Sequence, residues 1–129
     1  MATSNRPLSP HMQVYRLPLT GVISIFHRIT GVILAVGVVF FVGLLLTVAG
    51  GPDSFAPVQA LLDSLFGRVV LFLWSYALFF HLCHGIRHLL WDSGHGFAKE
   101  TMNKLALLEL VAAVGVTLLI WGGTRFFGG

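Results

Sequence analysis

Apolar and polar positions alternate along this chain in long blocks: three apolar runs, at about residues 21–50, 67–91 and 105–121, are separated by short polar stretches. Thirty residues of helix span about 45 Å, more than the roughly 30 Å hydrocarbon core of a bilayer. The start of the first run, Gly21 to Thr30, is therefore expected at or just below headgroup level. The third run is about a minimal span. Gly50-Gly51-Pro52-Asp53-Ser54 breaks the first run, Asp92-Ser93-Gly94-His95-Gly96 turns the chain after the second, and Gly122-Gly123 ends the third. Residues 52–66 are expected to form a short connection with an amphipathic turn through Val58, Leu61, Leu62 and Leu65. Pro7, Pro10 and Pro18 forbid a regular helix over residues 1–20 and predict an extended arm. The pattern predicts an all-α membrane protein: one membrane-anchor domain over residues 1–129, with three transmembrane helices behind an N-terminal arm.

Composition agrees with that class. Of the 129 residues, 56% are hydrophobic and 10% charged, against roughly a quarter charged in soluble proteins. The net charge of +3 is scattered with no basic run, which argues against nucleic acid as a partner. Cys83 is the single cysteine and can form no internal disulfide. Residues 1–20 lack the apolar core of a secretory signal, so the first apolar helix is expected to direct insertion. Arg6, Arg16 and Arg28 flank the entrance to that helix, and Arg87, Lys99 and Lys104 surround the second connection. The first connection carries Asp53, Asp63 and Arg68. By the positive-inside rule the N-terminus is expected to be cytoplasmic and the C-terminus outside.

Ionisable side chains inside apolar runs mark functional sites. In the second run His81, His84, His88 and Asp92 fall within about 80° of one another on a helix, and Gly85 lies beside them. Arg87 points about 120° away from His81 by the same count. The start of the first run carries a second polar stripe of Thr20, Ser24, His27, Arg28 and Gly31. Glu109, near the start of the third run, is expected to snorkel or to pair with Lys104. Three readings of the histidines stay open at this level. They could bridge helices by hydrogen bonds, line an ion path, or include an axial haem ligand, with Gly85 clearing room for the macrocycle. Asp92 and Glu109 both fall near the expected interfaces, which weakens the ion-path reading. Ser24 and Arg28 have two readings. Arg28 snorkels to phosphate while Ser24 bonds back to its helix, or both hydrogen-bond a carbonyl of an apolar, flat ligand such as a quinone.

Two stretches resemble a known family. Arg6-Pro7-Leu8-Ser9-Pro10-His11, Tyr15 and Ser24-Ile25-Phe26-His27-Arg28-Ile29-Thr30-Gly31 are similar to the first signature of succinate dehydrogenase cytochrome b subunits. His81-x-x-x-Gly85-Ile86-Arg87-His88-Leu89-x-x-Asp92 resembles the second. The order, length and three-run layout agree as well. The resemblance implies a membrane-anchor subunit of respiratory complex II, with electrons passing from succinate oxidation to ubiquinone. It implies His81 as axial ligand of a haem b shared with a second anchor subunit that supplies the other ligand. Ser24 and Arg28 would bind ubiquinone, and His27, Arg28, Arg87 and His88 would lie on the haem's propionate side or edge. His84 has no counterpart in the motif and no role from it. Flavoprotein and iron–sulfur subunits are the implied partners and would carry succinate oxidation; no catalytic residue is assigned in this chain. A bacterial inner membrane is expected ahead of a mitochondrial one. The rival functions are a haem-free structural anchor and a small haem- or ion-handling membrane protein.

Overall fold

The computed structural model describes residues 9–127, with side chains to Thr124; the Arg6-Pro7-Leu8 portion of the first signature lies outside the described residues. A 3-10 turn at His11–Gln13 precedes four helices: α1 Leu19–Ala49, α2 Pro52–Asp63, α3 Leu65–Asp92 and α4 Lys99–Phe127. Three of these, α1, α3 and α4, are long and apolar enough to cross a membrane. The expected all-α architecture with three spans is the one observed.

The boundaries follow from local chemistry. Pro18, in an extended conformation, caps α1, and the chain leaves that helix through Gly51, whose φ of +93° suits glycine. Pro52 then opens α2 at its first position with Asp53 in the first turn, both favourable at a helix start. The region expected as a connection is thus a twelve-residue helix, and it continues past Pro57. Ser64 starts α3 by accepting a hydrogen bond from Gly67 N at 3.1 Å. A Cβ at Gly67 would collide with Leu61 O, so the α2–α3 corner closes only over glycine. Gly94 and Gly96, both at positive φ, reverse the chain between α3 and α4. α4 begins at Lys99, earlier than the apolar run suggested. Glu100 in its first turn pairs with Lys104 at 2.8 Å and extends the helix through polar residues.

α3 packs against both α1 and α4 and is the centre of the bundle. Its fully buried stripe is Ala77, Phe80, His84 and Arg87. α4 answers with Ala106, Glu109, Ala113 and Thr117, all buried, spaced so that they share one face within about 80°. The two alanines bring the backbones close, as small residues do in membrane bundles. α1 approaches α3 over Gly31, where an added Cβ would stand 3.2 Å from His81 Cε1. It approaches again over Gly37, where an added Cβ would enter the Trp74 indole. Of its residues only Ile23 and Thr30 are buried; beyond the side that faces α3, α1 presents mostly exposed apolar side chains of the kind lipid covers.

Candidate functional site

The site forms where the polar stripe of α1 meets the histidine stripe of α3. His27 stacks on His81 with ring centroids 3.9 Å apart and planes 16° apart. Its centroid is also 4.3 Å from that of His84 and 5.9 Å from that of His88. The four imidazoles therefore form one column along the α1–α3 seam, as the two stripes predicted. Thr30 joins them. Its hydroxyl donates to His27 O at 2.9 Å and lies 3.2 Å from His81 Nδ1.

The α4 side of the column is an ion network. Glu109 Oε1 accepts from His84 Nδ1 at 3.0 Å, and Oε2 lies 3.0 Å from Arg87 Nε. That second contact is an ion pair whose atoms are not aligned as a hydrogen bond. Because His84 Nδ1–H is committed to the carboxylate, the 3.1 Å approach of Arg87 Nη2 to the same nitrogen is a close contact, not a donation. His84 Nε2 then accepts from His88 Nε2 at 3.2 Å. Trp91 sits beneath the Arg87 guanidinium, 4.8 Å from its carbon. His84, Arg87 and Glu109 are 1%, 3% and 4% exposed. They are wholly enclosed by helix, so each depends on the others for stability.

This corrects two expectations. Glu109 neither snorkels nor pairs with Lys104: it is buried against α3, while Lys104 pairs with Glu100. The physical reason is helical phase, since Lys104 and Glu109 point about 140° apart and Glu109 shares the stripe of Ala106 and Ala113. The chain consequently does hold a carboxylate buried between helices, where the sequence reading expected an exposed or Lys104-paired one. His84, which the motif left without a role, joins α3 to α4.

The remaining predicted residues are distributed around this centre. Ser24 flanks the packed face of α1, half-buried. Thr30, Thr47, Ser75 and Thr117 each donate to a carbonyl of their own helix, whereas the Ser24 hydroxyl makes no hydrogen bond among the described residues. Arg28, one turn on, is exposed and has no carboxylate within 4 Å among those residues. Arg87 faces α4, apart from Arg28. His88 is exposed at the edge of the column and Asp92 lies outside the network. Sequence reasoning gave Thr30 no role and misplaced Glu109, although both carried a signal. Thr30 is three residues from His27, and Glu109 is three from Ala106 on a stripe of small residues.

Three helices long enough to cross a membrane, with four imidazoles gathered between two of them, make the chain a helical membrane protein with a polar site inside its bundle. Residues 2–120 match the family described as succinate dehydrogenase/fumarate reductase transmembrane subunit, and the chain belongs to that family. It is similar to the succinate dehydrogenase cytochrome b556 subunit of Paracoccus denitrificans, 39% identical over 115 residues, 89% of this chain and 88% of the relative. The cytochrome b556 subunit of Rickettsia felis is 36% identical over 120 residues, 92% of each chain. The cytochrome b560 subunit of Reclinomonas americana is 36% identical over 123 residues, 91% of this chain and 85% of the relative. The resemblance read from the two signatures is borne out.

Proposed function

We propose that this chain is the haem- and quinone-binding anchor of a succinate:ubiquinone oxidoreductase in a bacterial inner membrane. The observation that carries the reading is the imidazole column beside an uncommitted serine hydroxyl and an unpaired guanidinium one turn apart on α1. Succinate oxidation then belongs to flavoprotein and iron–sulfur subunits. They dock at the end carrying the arm and the start of α4, which lie side by side around a groove lined by Pro18, Thr20, Lys99 and Asn103. That end carries Arg16, Arg28, Lys99 and Lys104 and is taken as cytoplasmic.

The residues present fit a b-type haem. His81 Nε2 makes no hydrogen bond among the described residues, and a Cβ at Gly85 would meet nothing within 4 Å, so the helix backbone one turn along is open to a flat group. His27 Nδ1 is buried without a partner, as expected where a polar group is to be received. His81 is the proposed axial ligand. His27, Arg28 and His88 are proposed for the propionate side or edge, together with Arg87 through its contact with His84. A haem bound here, completed by a histidine from a second anchor subunit, supplies a one-electron centre. Ser24 and Arg28 donate hydrogen bonds to the carbonyl oxygens of ubiquinone. Arg28 also stabilises the negative charge that grows on those oxygens as the ring is reduced.

Reduced-minus-oxidised spectra of the purified complex test this reading. A b-type signal in the wild type that His81→Ala removes is the expected result. A signal lost on His84→Ala and kept on His81→Ala overturns the ligand assignment, and no signal at all leaves only a structural anchor.

A further inference from the structure

We propose that Thr30 is a positioning residue for His81. It fixes which ring nitrogen carries the proton and so which one is free to bind a metal; the inference rests on His81 as the iron ligand. A threonine hydroxyl has one proton, and Thr30 gives it to His27 O at 2.9 Å. The hydroxyl can therefore meet His81 Nδ1, 3.2 Å away, only by accepting, so Nδ1 carries the hydrogen. A neutral imidazole protonated at Nδ1 keeps its lone pair on Nε2, and a hydrogen bond at the far nitrogen both orients a ligating histidine and strengthens its donation.

The surroundings make this arrangement firm. Thr30 is buried, 8% exposed, so water does not compete for the hydroxyl. The next residue is Gly31, where a Cβ would stand 3.2 Å from His81 Cε1, tight enough to displace the ring. Stacking on His27 at 3.9 Å holds the other face of the imidazole. One helical turn thus supplies the acceptor, the clearance and the stacking partner.

The test uses the complete complex purified in mild detergent, read by haem spectrum, haem midpoint potential and the electron paramagnetic resonance of the oxidised haem. Thr30→Val keeps the shape and removes the acceptor. With the imidazole donating less, the midpoint potential is expected to move positive and the resonance positions to change, while Thr30→Ser restores both. Gly31→Ala pushes the ring off the hydroxyl and is expected to move the potential in the same direction; it decides the matter should Thr30→Val not assemble. Wild-type potential and resonance in the assembled variants, with haem present and still lost on His81→Ala, overturn the Thr30 inference alone. Haem retained on His81→Ala overturns the ligand assignment and this inference with it.

Discussion

The two halves of this bundle are held together by different means. At the end that carries the arm, α1, α3 and α4 meet through charged and polar side chains set beside a small apolar core of Ile23, Phe80, Ala106 and Ala113: the imidazole column, the Thr30 hydroxyl, and Glu109 between His84 and Arg87. At the other end, contacts such as the edge-on Phe72–Trp121 pair at 5.5 Å are apolar. There α3 and α4 leave an open groove lined mainly by Leu65, Val69, Leu73, Leu118 and Trp121, with the exposed Asp63 and Arg68 as its charged members. The difference follows from the solvent. Lipid tails are as apolar as leucine, so leucine-rich surfaces gain little by meeting, whereas hydrogen bonds and close approach over small residues do hold helices together. Polar side chains accordingly share the interior among the described residues: His84 and Thr117 are each 1% exposed, beside Phe80 at 3%, where a soluble protein's interior is mostly apolar.

Glu109→Ala tests that contrast most severely. It leaves Arg87 charged and buried without a counter-ion, a loss of about 3–5 kcal/mol, and the complex is expected to come apart at clearly lower temperature in detergent. The double variant Arg87→Met/Glu109→Leu should recover most of the loss. A Glu109→Ala complex as heat-stable as wild type would mean that the ion network does not hold the bundle.

Arg28→Leu probes the same end for chemistry instead of cohesion. Loss of one charged hydrogen bond, about 1.5–3 kcal/mol, is expected to slow succinate:ubiquinone reductase activity tenfold or more. Succinate oxidation with a water-soluble artificial acceptor should be unchanged, and equal loss of both would point to failed assembly.

Further along the α1–α3 seam, Gly37→Ala forces the Trp74 indole to turn and should cost about 1–3 kcal/mol by overpacking, seen as a smaller fall in thermal stability with the haem spectrum intact. The far end should respond least. Arg68 and Asp63 are half or more exposed and 4.0 Å apart, so Arg68→Gln is expected to change stability by less than about 1 kcal/mol.

The contrast between the halves also explains what could be read in the sequence. The limits of α1 and α3 were legible because Pro18, the Gly50-Gly51 pair and the Ser93–Gly96 turn punctuate apolar runs. The α2 helix was read only as a short amphipathic turn through Val58, Leu61, Leu62 and Leu65 because Pro57 suggests a connection, although Pro52 and Asp53 are helix-start residues. The α4 start was missed because residues 99–104 are polar and the hydropathy pattern ignores them. The histidine stripe was legible from spacing alone, but the expectation that Arg87 turns away was not met: it is about 60° from His84 on the helix and joins it on Glu109. Glu109 was misjudged from its nearness in sequence to Lys104, where helical phase against Ala106 and Ala113 would have directed it inward. What spacing along a helix could not convey is which imidazole stacks on which, since that depends on how α1 is set against α3.

The Arg87–Glu109 pair also bears on how the chain enters the membrane. Either residue alone in an isolated helix would oppose insertion, by at most about 2.5–3.5 kcal/mol for an arginine at a helix centre and by less for Arg87, which lies in the last two turns of α3. Only residues 93–98 separate α3 from α4, so the two charges can neutralise each other while both helices are still leaving the insertion machinery. The α3–α4 hairpin is then expected to insert as a pair, whereas α1 makes no buried ion pair among the described residues. A nascent chain truncated after Ser93 is expected to integrate α3 less efficiently than the full chain, with glycosylation mapping as the measurement, and Arg87→Leu should remove the dependence.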